Sequence, residues 1–177
     1  PESFFCIDLH ESSENEIMTA LVIENKDTWY SLGKALKQST EKTLCGIKIN
    51  ILIYGEGNKV TKQNSIYEFM EDLTTQEYQV LYVGDIDVAG IHMLYESILG
   101  NKDCSVKPFI SLYQRMLVDA KFKDLKATDD NRGLKYEKTF LDYFTQDESA
   151  LVQQVLDNNK RIPQEILNYS DYLEMVK

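Results

Sequence analysis

The sequence predicts an α/β fold, a mainly parallel four-stranded sheet flanked by helices with a helical carboxyl-terminal extension. Three observations lead there. Short β-branched or aromatic runs alternate with helical periodicity. The runs are apolar almost throughout, as strands covered on both faces must be. After residue 110 the pattern becomes wholly helical.

Strands are expected near residues 20–24, 47–54, 79–84 and 105–110. The first carries Leu21-Val22-Ile23 and ends on Glu24, and the second is the isoleucine-rich run from Ile47 to Tyr54, followed by the small-residue loop Gly55-Glu56-Gly57-Asn58. The third, Val80-Leu81-Tyr82-Val83, runs into Gly84-Asp85-Ile86-Asp87-Val88-Ala89-Gly90. Between the strands, Trp29, Leu32 and Leu36, then Ile66, Phe69, Met70 and Leu73, then Ile91, Leu94, Tyr95 and Ile98 recur at helical spacing. A β-α-β-α-β-α-β order requires crossover connections and hence parallel strands. Further helices are expected at 111–119, 134–144 and 148–158, with shorter pieces at 163–168 and 171–176. Thr145 and Glu148 have capping-box spacing, and Pro163 suits a helix's first turn. Residues 121–132, with Asp129-Asp130-Asn131, read as an exposed loop. Residues 1–16, acidic and containing Ser12-Ser13, read as a linker remnant, leaving 17–177 as one catalytic domain with its helical tail from about 111.

A chain of 177 residues, 43% hydrophobic and 11% aromatic, supports one well-cored domain. Its formal net charge of -10 argues against a protein that coats DNA by bulk electrostatics. Yet residues 26–62 carry Lys26, Lys34, Lys37, Lys42, Lys48, Lys59 and Lys62 against Asp27, Glu41 and Glu56. Such asymmetry steers phosphate to one edge, although solvated surface lysines give the same pattern. Cys6, Cys45 and Cys104, with only two histidines, indicate neither a disulfide framework nor a zinc site, which points to a reducing cytosol. No apolar stretch approaches the roughly twenty residues of a membrane span, and no signal-peptide pattern opens the sequence. A cytoplasmic protein with no membrane contact is expected.

The chemistry concentrates at two strand ends. In an open parallel sheet, ligands bind beyond the carboxyl ends of the strands. Glu24 on one such end, with Asp85 and Asp87 on another, forms a cluster whose mutual repulsion favours Mg²⁺ or Mn²⁺. A metal held there would assist phosphodiester hydrolysis, and Lys26, Lys59 and Lys62 are candidates for phosphate contacts. The competing structural reading makes one aspartate a helix cap, with Asn25 and Asp27 merely starting the helix that bears Trp29. His92, one turn beyond the pair, lacks a partner at metal spacing and reads as structural. The eleven tyrosines read as packed rather than nucleophilic.

A strand ending in Glu24, then a later strand ending in Asp85-x-Asp87, resembles the Toprim domain of topoisomerases, primases and related nucleases, a Rossmann-like fold. Within that superfamily, Ile23-Glu24-Asn25, Tyr54-Gly55-Glu56-Gly57-Asn58 and the segment from Tyr82 to Gly90 resemble the carboxyl-terminal domain of JetD, the nuclease subunit of the Wadjet anti-plasmid system. Lys160-Arg161-Ile162-Pro163-Gln164-Glu165-Ile166 is similar to that family's closing basic-then-acidic helix. The resemblance implies a divalent-metal-dependent endonuclease domain that cleaves double-stranded plasmid DNA with SMC-like ATPase subunits, and it leaves room for a homodimer formed through the full-length protein. Glu56 departs from the family's small-residue loop. On this reading Asp85→Ala or Asp87→Ala abolishes cleavage and leaves the fold intact. Three rivals remain open: a Toprim subunit of a topoisomerase VI-like enzyme, an inactive docking module, and a receiver-like signalling module suggested by Lys107-Pro108-Phe109. The last places its acids in the opposite order.

Overall fold

The sheet starts earlier in the chain than its composition suggests. The computed structural model describes residues 3–11, 16–129 and 133–177. In chain order its elements are β1 (Cys6–Asp8), β2 (Met18–Ile23), α1 (Lys26–Gln38), β3 (Thr43–Leu44), β4 (Ile47–Lys48), β5 (Ile51–Tyr54), α2 (Ser65–Leu73), β6 (Tyr78–Val83), α3 (Val88–Gly100), β7 (Val106–Pro108), α4 (Ile110–Asp119), α5 (Gln146–Asp157) and α6 (Tyr169–Met175). The main sheet has five strands rather than four, in the order β1-β5-β2-β6-β7, and all its pairings are parallel except β1 with β5. Reading residues 1–16 as a linker is corrected in part. Cys6 to Asp8 pair with Ile53 to Ile51, and Phe4 and Leu9 on either side are buried, so this segment closes one edge of the sheet. Ser12-Ser13 lies outside the described residues.

All six residues of β2 are buried, as its central place demands. The run 47–54 is not one strand. Cys45 and Gly46 both adopt positive φ (51° and 79°), which suits a two-residue hairpin turn whose twist matches the flanking strands, so Ile47–Lys48 turns back on Thr43–Leu44. Asn50 then marks the entry to the main sheet: its side chain accepts from the Thr19 N–H at 2.8 Å, and its own N–H donates to the Thr19 carbonyl at 2.9 Å. Right-handed crossovers in this strand order put α1 on one face and α2 and α3 on the other.

The tail is less helical than its periodicity implies. Of the expected helix 134–144, only Lys138–Tyr143 is helical, as a 3₁₀ turn, with Phe140 buried between Tyr113 and Phe144. The capping box of α5 forms as read, Thr145 and Glu148 bonding reciprocally. Pro163 stands just ahead of a single 3₁₀ turn, Gln164–Ile166. The expected loop 121–132 holds a 3₁₀ turn, Phe122–Asp124, and Ala127 bridges to Lys160; Asp130-Asn131 lies outside the described residues. Among the described residues, no helix is long and apolar enough to cross a membrane.

Candidate functional site

The parallel register explains why the acids meet. Ile23 is level with Tyr54 on one side and with Val83 on the other, so β2, β5 and β6 end together. The next residues, Glu24, Gly55 and Gly84, therefore share one edge. The chain runs from β2 to β5 and then crosses back over β2 to β6, which makes the gap between β2 and β6 the switch point where such sheets bind ligands.

Glu24 is half-buried, and the Tyr82 hydroxyl donates to its Oε2 at 3.1 Å. Burial, then the nearby Asp85 carboxylate, push its carboxyl up to about 7, while the Tyr82 hydrogen bond and Arg161 act in the opposite direction. Gly84 leaves room beside it: a Cβ there would displace Glu24 Oε2 from its present position, and the Gly84 N–H donates to the Tyr113 hydroxyl at 3.0 Å. Tyr82 and Tyr113 are fully buried, and desolvation raises the pKa of both phenols, keeping them as hydrogen-bonding hydroxyls.

Asp85 accepts the Gln164 N–H on Oδ1 at 2.7 Å, and its Oδ2 pairs with Arg161 Nη2. Burial raises its carboxyl, against the lowering by the Gln164 N–H and Arg161. Asp87 is 3% exposed and caps α3, its Oδ1 accepting the Gly90 N–H at 2.6 Å, while Arg161 Nε stands 3.8 Å from Oδ2. The capping reading of Asp87 is thus met in the structure, and its Oδ2 remains turned toward Arg161. Gly90 leaves the space for this turn, because a Cβ there would strike the Asp85 carbonyl and lie 3.0 Å from Asp87 Oδ1.

The closing segment is an extended strap that leads into the 3₁₀ turn Gln164–Ile166. Lys160 bridges Ala127, and Ile162 exchanges backbone hydrogen bonds with Ile86 at 2.9 and 3.0 Å, which carries Arg161 onto the two aspartates. Gln164 is 2% exposed and joins both strand ends, its Oε1 accepting the Asn25 N–H at 2.9 Å and its Nε2 donating to the Val83 carbonyl. Sequence reasoning assigned no role to Arg161 or Gln164. Their only signal was membership of a segment that resembles a family, because no periodicity announces contacts across 79 and 139 residues.

The candidate lysines do not share one arrangement. Lys59 bonds Glu56 at 2.7 Å and the Ser3 carbonyl, and lies 4.9 Å from the Phe4 ring centre, so it pins β1 to the glycine loop. Glu56 thereby takes a local partner. Lys26 and Lys62 are exposed, the former in the first turn of α1. His92 is half-buried in a cleft shared with Tyr95 and Glu96, and the three cysteines are free thiols.

As the side chains stand, no group of three or more His, Cys, Asp or Glu among the described residues is arranged to hold a metal ion. Chemically the donors do suit a hard cation. All are carboxylate oxygens, and three acids facing one guanidinium leave an excess of negative charge.

The family model described as Wadjet protein JetD, C-terminal, matches residues 4–176. The chain belongs to that family. The match begins at residue 4 and so takes in β1, in keeping with the place of that strand in the sheet. No curated protein matches the chain.

Proposed function

Taking membership of the JetD carboxyl-terminal family as its premise, we propose that this chain is a Toprim-type, divalent-metal-dependent endonuclease domain that hydrolyses double-stranded plasmid DNA within a bacterial SMC-like defence complex. The observation that carries the reading is the convergence of Glu24, Asp85 and Asp87 at the switch point, set by the common end of β2 and β6. Glu24, Asp85 and Asp87 would hold Mg²⁺ or Mn²⁺, which would supply Lewis acidity toward the phosphodiester and charge neutralisation at the leaving oxygen. The chain's own residues supply the rest. Tyr82 fixes the Glu24 carboxylate, Gln164 fixes that of Asp85, and the cap on α3 fixes that of Asp87. In the metal-free site the Glu24 carboxyl, held at about 7, retains or releases a proton near neutral pH, and a bound cation would favour its charged form. Lys26 and Lys62 offer positive charge to the phosphate backbone from exposed positions.

An acidic chain is a poor DNA coat, so grip on the duplex falls to other parts of the assembly, namely the SMC-like ATPase subunits and a homodimer formed through the full-length protein. Such an assembly acts in the cytoplasm. Cleavage of supercoiled plasmid by the full-length protein in Mn²⁺ tests the reading. Linear product from the parent, and at least a hundredfold slower product from Asp85→Asn, is expected, because removing one metal-holding group costs on the order of 10²-fold or more. Equal cutting by parent and variant would sink it.

A further inference from the structure

We propose that Arg161 is the resident counter-ion of this site, holding Asp85 and Asp87 until a divalent cation displaces its guanidinium, so that the exchange sets the cation concentration at which the site loads. The inference rests on the metal reading above and adds the residue that opposes it.

Asp85 turns Oδ1 to the Gln164 N–H and Oδ2 to Arg161 Nη2. Asp87 turns Oδ1 to the Gly90 N–H and Oδ2 toward Arg161 Nε. Each aspartate thus has one oxygen that accepts from a backbone donor and one that faces the same guanidinium. A cation held by the two aspartates would meet a like charge in the guanidinium that faces their Oδ2 atoms.

The backbone around Arg161 is fixed while its side chain has room. The Arg161 N–H donates to the Lys126 carbonyl at 3.2 Å, and Ile162 is paired in both directions with Ile86. The Arg161 side chain is 37% exposed and borders a cavity of about 610 Å³ that Lys126, Thr128, Pro163 and Glu165 also line. Displacement is then a rotation of a long side chain into that cavity, with the Glu165 carboxylate near enough to act on the guanidinium. No strand has to move. An arginine suits the task because its planar donor fork spans two carboxylates where a lysine offers a single point charge.

The test is Mn²⁺ calorimetry on the chain and on Arg161→Gln, with folding checked by circular dichroism. Loss of the competitor should tighten Mn²⁺ binding about tenfold, equivalent to about 1.4 kcal/mol. Equal or weaker binding by the variant overturns the inference and leaves the metal reading standing; absence of Mn²⁺ binding by both overturns the two together. A measurement on the unsubstituted chain guards against a variant that fails to fold. Saturating Mg²⁺ should shift the Arg161 Nε–H resonance as the ion pair opens, and an unmoved resonance in the presence of bound Mg²⁺ refutes the exchange.

Discussion

Replacing Glu24 by glutamine should stabilise the metal-free protein, increasingly so as pH rises from the acid range to neutral and above. The amide side chain would keep an oxygen to accept the Tyr82 hydroxyl while removing the charge that burial and Asp85 oppose. A carboxyl held at about 7 in the folded chain, against an ordinary value of 4.5, makes the folded state bind a proton more tightly than the unfolded one. Folding stability therefore falls as pH rises through this interval. The penalty is absent below the unfolded value, grows between 4.5 and about 7, and is complete above that. At about 1.4 kcal/mol for each pH unit of difference, the full penalty is about 3 kcal/mol, of which about 2 kcal/mol develops between roughly pH 5.5 and 8.5. Urea unfolding in EDTA at those two pH values, on the parent and Glu24→Gln, reads it directly. The stability gap in favour of the variant should widen by about 2 kcal/mol at the higher pH. A gap independent of pH, or a variant less stable at pH about 8.5, would refute the account of Glu24 as a desolvated acid crowded by Asp85.

Substitutions at two further positions separate chemistry from scaffolding. The sequence-based expectation that removing either aspartate leaves the fold untouched needs correction for Asp87, which caps α3. Asp87→Ala should cost about 1 kcal/mol in thermal or urea unfolding and abolish plasmid cleavage, whereas Asp87→Ser should recover most of that stability through its hydroxyl cap without restoring cleavage. Gln164→Leu leaves the Asn25 N–H and the Val83 carbonyl without their side-chain partner in a buried setting. It should cost about 3 kcal/mol by urea unfolding, and a loss below about 0.5 kcal/mol would contradict the role of Gln164 as the tie between the strand ends.

What could be read from the sequence was set by local periodicity and by register. Trp29, Leu32 and Leu36, or Ile91, Leu94, Tyr95 and Ile98, announce α1 and α3 because their spacing alone builds an apolar face. The meeting of Glu24 with Asp85 and Asp87 followed because parallel strands that end level present their next residues side by side. Other features depend on partners distant in sequence. β1 is three residues long and holds no pattern of its own, deriving its structure from β5. The run 47–54 looks continuous until the Cys45–Gly46 turn folds its first residues onto Thr43–Leu44. Leu134 to Tyr143 has helical composition, yet only a 3₁₀ turn forms around buried Phe140. Arg161 and Gln164 reach the site because Ile162 pairs with Ile86, a contact invisible in either segment alone.

The most direct test of the metal-centred account is anomalous diffraction at the manganese edge from crystals of the chain soaked in Mn²⁺. The account predicts an anomalous peak at the β2–β6 edge, within ligand distance of Glu24, Asp85 and Asp87 oxygens, with the Arg161 guanidinium withdrawn from the Asp85 and Asp87 Oδ2 atoms. Manganese bound only elsewhere, with Arg161 still paired to Asp85, would contradict it.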